Sequence, residues 1–312
     1  MLFRSATAEG DDAYLCMVYR LHGGLSFFHG DLPAAHKEFA QAIALYSPEV
    51  RQRLALHFGP DSGAAAEIFL AMTQWLEGLP DSALRSADNA VSHARALNNG
   101  LTIGQVLTLA AQVHYMAGNY DRMLALSQEG NEICERIGIR YFGAICRLYE
   151  IWAKARRTRP SDHIKEFRDA LKRYEAMGCG LQLGLFHIML AQLLLAAGRP
   201  AEAVQEARTA LAKFSANDER WWLPEAHRTL AEAILATPKP DKADAAKSFQ
   251  NALDTARQTG AMMLELRAAT GLAAIASGRS DKAEAKRLLA AIVGRFSEGL
   301  NSADLQAAKA HI

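Results

Sequence analysis

Residues 198–214 read GRPAEAVQEARTALAKF and contain a pattern that recurs along the chain. The apolar residues after the Gly-Arg-Pro turn are spaced by three and four, so they fall on one face of a helix. Small residues occupy fixed places on that face, namely Ala203, Ala207 and Ala210. The pattern therefore predicts an amphipathic helix that begins at a turn and packs closely against a neighbouring helix.

Turns rich in Gly and Pro recur at a spacing of forty residues. Six of them share this register, and a seventh precedes the first of the six by a longer interval. The seven turns lie near residues 30, 78, 118, 158, 198, 238 and 278. The alanine pattern follows several of these turns, with Ala35, Phe39 and Ala42, then Ala83, Ala87 and Ala90, and later Ala245, Phe249 and Ala252.

A unit of forty residues has room for two helices of roughly 16 residues and two short connections. A single pair of such helices cannot bury its apolar face, so successive pairs must stack. Regular Gly and Pro exclude a long coiled coil. The spacing and the small residues resemble the tetratricopeptide repeat, whose usual unit has about 34 residues. We therefore expect an all-α fold: a right-handed superhelical solenoid of about seven tetratricopeptide-like helix pairs, forming one domain over residues 1–312 with a capping helix near 302–311.

The composition excludes several classes of function. The chain has 35 Lys and Arg and 34 Asp and Glu, with a formal net charge of +1, so it lacks a global basic surface for nucleic acid or membranes. Its most apolar window, residues 188–197, is much shorter than the ~20 residues of a membrane helix. Four cysteines without a CxxC pair indicate reduced thiols. We expect a cytoplasmic protein with no nucleic-acid or membrane partner.

Several longer stretches are similar to one narrower family. They are YSPEVRQRLALHFGPDSGAAAEIF (46–69), LPDSALRSADNAVSHARAL (79–97), DERWWLPEAHRTLAEAIL (218–235), ELRAATGLAAI (265–275) and FSEGLNSADLQAAKA (296–310). Together they resemble the C-terminal repeat region of bacterial multidomain signalling proteins. In that family a class III adenylate or guanylate cyclase domain and a signal-transduction ATPase precede the repeats. Related repeat arms occur in large ATP-dependent transcription regulators. An extra segment from His57 to Asp61 fits the longer first interval between turns.

The catalytic parts of that family have no counterpart in this sequence. It contains no GxxxxGK[ST] phosphate loop and no strand-rich cyclase segment with metal-binding aspartates. HExxH, zinc-spaced Cys and His clusters and GxSxG are absent from it too. We therefore expect no enzyme activity, no catalytic residue, no metal and no cofactor. The resemblance implies that the chain is the isolated regulatory arm.

The resemblance also indicates a surface for a partner. In tetratricopeptide-like superhelices the first helix of each pair lines a concave groove. That register places ten residues towards the groove: Phe27, Met72, Trp75, Gln112, Tyr115, Trp152, Arg156, Gln192, Arg228 and Glu232. Aromatic and Arg side chains anchor protein interfaces, whereas Trp and Tyr also pack in interiors. Both interpretations stay open at this point. Trp221 and Trp222, before a first helix, predict a staple against the preceding pair.

These features favour a non-catalytic scaffold that binds a protein or peptide. A cyclase or an ATPase is a candidate partner, because the resembled proteins carry those domains. The alternative is an arm that senses a small effector for a cyclase, an ATPase or a transcription regulator. Self-association through the terminal pairs is compatible with the sequence.

Overall fold

The computed structural model describes residues 11–55 and 59–312, which form sixteen helices joined by short connections. No strand occurs within these two ranges. The prediction of an all-α fold is confirmed. His57 and Phe58, part of the extra segment singled out in the sequence, lie outside the described residues.

Fourteen of the helices follow one another along the chain as seven consecutive pairs. They are α1 (Asp12–His29) with α2 (Leu32–Leu45), α4 (Ser62–Leu76) with α5 (Pro80–Leu97), α6 (Gly100–Met116) with α7 (Tyr120–Ile137), α8 (Arg140–Arg157) with α9 (Pro160–Glu175), α10 (Leu183–Ala196) with α11 (Pro200–Ala216), α12 (Leu223–Leu235) with α13 (Lys242–Thr259), and α14 (Met262–Ile275) with α15 (Arg279–Val293). Two short helices stand outside the pairs. One is α3 (Pro48–Leu54), after the first pair, and the other is α16 (Ala303–Lys309), near the end of the chain.

The first turn shows how the local sequence sets these boundaries. Gly30 ends α1 with φ +81°, a left-handed conformation that glycine adopts without a steric penalty. Asp31 then caps α2, because its carboxylate accepts a hydrogen bond from the backbone N of Ala34 at 3.1 Å. Pro33 lies in the first turn of α2, where a missing N–H costs no helical hydrogen bond.

The chain divides into two compact units. The first comprises Met1–Trp75 and Pro80–Glu150, and the second comprises Leu76–Leu79 and Ile151–Ile312. Within the second unit each helix from α9 to α15 packs against the next, and the alternate helices α10, α12, α14 and α16 also touch in sequence. The first helices of successive pairs therefore lie side by side in this unit. The assignment of residues 1–312 to a single domain stays a prediction.

Close packing within a pair depends on small residues that face large rings. A Cβ atom at Gly23 of α1 would lie 2.8 Å from the Phe39 ring of α2. In the same way, a Cβ at Gly184 of α10 would lie 2.5 Å from the Phe214 ring of α11. Both rings are buried. Glycine on the first helix thus makes room for phenylalanine on the second.

Adjacent glycines in α1 give a matched test of this packing. No described atom lies within 4 Å of a Cβ built on Gly24, in contrast to Gly23. We expect Gly23→Ala to lower the free energy of unfolding by about 1–3 kcal/mol, because the methyl group overpacks the interface with Phe39. Gly24→Ala should raise it by about 0.5–1 kcal/mol, because alanine favours the helix. Urea denaturation of both variants measures this, and equal effects would contradict the packing.

Candidate functional site

The ten residues predicted for the groove divide by burial. Six have buried side chains, each at most 5% exposed: Phe27, Met72, Trp75, Gln112, Tyr115 and Trp152. These side chains fill the interior, as the packing interpretation of the sequence allows. The other four are exposed or half-buried on the second unit: Arg156, Gln192, Arg228 and Glu232. A binding role for any of the ten stays a prediction.

We call the set of four accessible residues the first-helix face. Arg156 belongs to α8, Gln192 to α10, and Arg228 and Glu232 to α12. These are the first helices of three successive pairs. The fourth to sixth pairs thus each contribute at least one polar side chain to the face.

A buried ring supports Arg156 on this face. The guanidinium carbon of Arg156 lies 5.7 Å from the centre of the Trp152 ring, a cation–π arrangement. Trp152 is 2% exposed, and its Nε1 donates a hydrogen bond to the backbone oxygen of Met189 at 3.1 Å. That bond joins α8 to α10. Arg156 therefore presents its charge above a ring that is fixed to the next first helix.

Arg228 lies in an ion network on α12. Its Nη2 and Nε donate to the two carboxylate oxygens of Glu225, at 2.6 and 2.9 Å. Its Nη1 donates to Glu232, one turn further along the same helix. Glu225 is 2% exposed, while the side chain of Arg228 is 18% exposed and that of Glu232 43%. The network therefore extends from the interior to the solvent.

A second arginine extends the network to two more helices. Arg267 of α14 lies 3.8 Å from Glu225, between Nη1 and Oε2. Its Nε and Nη2 also donate to both carboxylate oxygens of Asp304 on α16, at 2.8 and 2.9 Å. Such a bidentate pair between an arginine and a carboxylate fixes the relative orientation of the two groups as well as their distance. The network thus joins α12, α14 and α16.

The charges of the network support one another. Burial raises the pKa of Glu225, but Arg228 and Arg267 outweigh burial and hold that pKa below its usual value. Burial lowers the pKa of Arg228, but Glu225 and Glu232 outweigh it and hold the pKa well above the usual value. Glu225 and Arg228 therefore stay ionised at neutral pH. Such a pair can orient charged or polar groups of a ligand, and it has no proton to exchange near neutral pH.

Two further properties follow from the described residues. Among residues 11–55 and 59–312, no cluster of three or more His, Cys, Asp or Glu side chains is arranged to hold a metal ion. Over the same ranges, every helix is too short or too polar to cross a membrane.

A family model described as "Tetratricopeptide repeat" matches residues 184–209, which cover most of α10 and the first part of α11. The chain contains a tetratricopeptide repeat. No curated protein matches the sequence significantly. Tetratricopeptide-like repeats are typical of protein-interaction scaffolds, because stacked pairs create extended binding surfaces.

Solved structures extend the similarity beyond that one repeat. The chain is similar to a Rap protein complexed with Competence and Sporulation Factor, with a TM-score of 0.61 and 12% identity, over 96% of this chain and 83% of that one. It also matches the apo form of RapI, with a TM-score of 0.49 and 12% identity, over 95% and 94% of the two chains. A third match is a signal-transduction ATPase with a tetratricopeptide repeat sensor from Pyrococcus horikoshii, with a TM-score of 0.43 and 15% identity, over 95% and 48%. The first of these likenesses shows the fold, and the prediction of a tetratricopeptide-like solenoid is confirmed.

Sequence reasoning missed three residues of the ion network: Glu225, Arg267 and Asp304. Glu225 precedes Arg228 by three residues, and Glu232 follows it by four, a spacing that brings side chains together on a helix. The contacts of Arg228 with Glu225 and Glu232 could therefore be predicted from the sequence. Arg267 and Asp304 lie in two of the stretches quoted for the family resemblance, ELRAATGLAAI and FSEGLNSADLQAAKA, but neither stretch indicates that the two residues meet.

Proposed function

We propose that this chain is a non-catalytic helical-repeat scaffold that binds a peptide or protein segment on the first-helix face. The ion network around Arg228 carries the proposal. It holds charged side chains in fixed positions on α12, α14 and α16 and leaves Arg228 and Glu232 partly open to solvent. Side chains that are already ordered lose little conformational entropy when a partner binds.

The other residues of the first-helix face suit an extended segment. Gln192 is half-buried, and its amide both donates and accepts hydrogen bonds, as a peptide backbone does. The exposed Arg156 guanidinium has the geometry to bind a carboxylate through two parallel bonds. Glu232 offers an acceptor at the opposite end of the face. The face therefore fits a segment with an acidic group near Arg156 and a basic or amide group near Glu232.

In its biological setting, we propose that the scaffold is the regulatory arm of a bacterial signalling system and acts in the cytoplasm. The sequence resemblance to the repeat region of cyclase and ATPase signalling proteins supports this proposal. A cyclase or an ATPase is accordingly a candidate partner. A Rap protein of the same fold is complexed with Competence and Sporulation Factor. The regulatory role proposed for this chain likewise allows it to bind a regulatory ligand.

Selection of peptides from a random library on the immobilised full chain tests the first-helix face. A selected peptide is then titrated calorimetrically against the wild type and an Arg156→Ala/Gln192→Ala double variant. We expect the double variant to bind about tenfold more weakly or worse, because the truncated side chains anchor the segment.

Arg208→Ala is the matched control for that titration. Arg208 lies on the second helix α11, has a 55% exposed side chain and forms a long ion pair with Asp244. We expect it to bind like the wild type. The proposal fails if no peptide is selected, or if the double variant and the wild type bind the selected peptide equally.

A second candidate function is the sensing of a small effector for a cyclase, an ATPase or a transcription regulator. A cavity of about 610 Å³ in the first unit favours it, because small-molecule sites have volumes of this order. A thermal-shift screen with metabolites tests this function, since a ligand that binds the native state raises Tm. A screen in which no metabolite changes Tm would contradict it.

A further inference from the structure

The inserted helix α3 forms one wall of the cavity in the first unit. The other walls come from α1, from residues 59–62 and from the C-terminal end of α5. Met17, Leu54 and Leu97 contribute apolar surface. The longer interval between the first and second helix pairs thus produces a concave site in this unit. In a repeat of regular length, the second pair would follow the first directly.

Two arginines line this cavity without an ion-pair partner among the described residues. They are Arg20 from α1 and Arg51 from α3. Arg20 is only partly exposed, and its Nε is buried without a hydrogen-bond partner. A buried guanidinium nitrogen without a hydrogen-bond partner is costly, because it has lost water and gained no bond. Burial lowers the pKa of Arg20, and the nearby charge of Asp61 offsets this only in part. Among the described residues, the buried Nε of Arg20 therefore has room for an acceptor from a bound anion.

The acidic residues in the lining are already engaged. Asp61 accepts a hydrogen bond from the Tyr46 hydroxyl at 2.6 Å and another from the backbone N of Ala64 at 2.9 Å, where it caps α4. Glu49 is exposed and accepts a hydrogen bond from the Ser47 hydroxyl at 2.8 Å. Each carboxylate thus has a donor within the chain, whereas neither arginine forms an ion pair among residues 11–55 and 59–312.

We infer that this cavity binds a small organic anion, a molecule with a carboxylate or phosphate group and an apolar body. The guanidinium groups of Arg20 and Arg51 match the geometry of such groups. Met17, Leu54 and Leu97 provide surface for the body. The inference rests on the second candidate function, for which it names the chemical class of the effector, and is independent of the first-helix face.

Calorimetric titration of the full chain with inorganic phosphate, citrate and adenosine monophosphate tests the inference, with uncharged adenosine as the matched probe. We expect at least one anion to bind saturably at one site and adenosine not to bind. The citrate and adenosine monophosphate arms distinguish carboxylate from phosphate. Arg20→Gln and Arg51→Gln should each weaken the binding about tenfold or more.

Two further variants keep the result interpretable. Ala96→Phe fills the cavity from an exposed position without a change of charge, and it should abolish binding. Arg136→Gln removes an exposed arginine of α7 that does not line the cavity, and it should bind like the wild type.

The inference is overturned if none of the three anions binds at millimolar concentration, or if Arg20→Gln and Ala96→Phe both bind like the wild type. Failure of the inference is distinguishable from failure of effector sensing. If uncharged metabolites raise Tm while the anions do not bind, sensing stands and the anion site fails. If the metabolite screen is also flat, both fail.

Discussion

Arg228→Met is expected to lower the free energy of unfolding by about 3–5 kcal/mol, because it leaves a buried carboxylate without its main partner. Glu225 is 2% exposed and loses the hydrogen bonds at 2.6 and 2.9 Å that Arg228 donates. Arg267 remains at 3.8 Å, but it is directed mainly to Asp304. Urea denaturation measures the loss, and hydrogen exchange locates it. The amides of α12 should lose protection first.

A second variant separates the uncompensated charge from the loss of packing. In Glu225→Gln/Arg228→Met neither charge is left, and we expect most of the lost stability to return, since replacing a whole buried pair is close to neutral. Arg199→Met is the surface control. It forms an ion pair with Glu202, and the two side chains are 41% and 43% exposed. This pair should contribute less than about 1 kcal/mol to the free energy of unfolding. A double variant as unstable as Arg228→Met would show that the charge of Glu225 is not the cause.

The turns were predictable because their signals are local. Gly118 separates α6 from α7 with φ +74°, a conformation that glycine adopts readily. Pro200 begins α11, where its fixed φ suits the first turn of a helix. Helix α3 was not predicted, although it too has local signals. Ser47 caps it through the backbone N of Val50 at 3.2 Å, and Pro48 follows, so local signals for a helix exist there. The forty-residue period does not include these signals, because α3 lies in the longer interval between the first and second turns.

The depth of a side chain could not be predicted in this way. The repeat register assigns Trp75 and Tyr115 to first helices, but it does not say how closely the neighbouring helices surround them. Both are buried, at 0% and 5% exposure. The contact between Arg267 and Asp304 could not be predicted either, because it depends on the stacking of α14 against α16. Contacts between helices depend on the geometry of the stack, which the pattern within one repeat does not specify.

Trp221 joins two connections in the second unit. Its side chain is 0% exposed, and its ring centre lies 5.2 Å from that of Trp222. Its Nε1 donates to a carboxylate oxygen of Glu219 at 3.3 Å. Glu219 in turn accepts hydrogen bonds from the backbone N of Gln182, at 3.1 and 3.2 Å. The connection before α12 is thereby fixed to the connection before α10.

Trp221→Ala is therefore expected to lower the free energy of unfolding by about 3–5 kcal/mol, because it leaves a cavity the size of an indole ring. It also removes the indole donor from Glu219, whose pKa burial already raises. Trp221→Phe keeps an aromatic ring and removes the donor, so it should cost less, about 1–3 kcal/mol. Urea denaturation of both variants gives the comparison. If Phe and Ala are equally damaging, the hydrogen bond to Glu219 and not the ring holds the connections together. If Ala costs less than about 1 kcal/mol, the connections are fixed by other contacts.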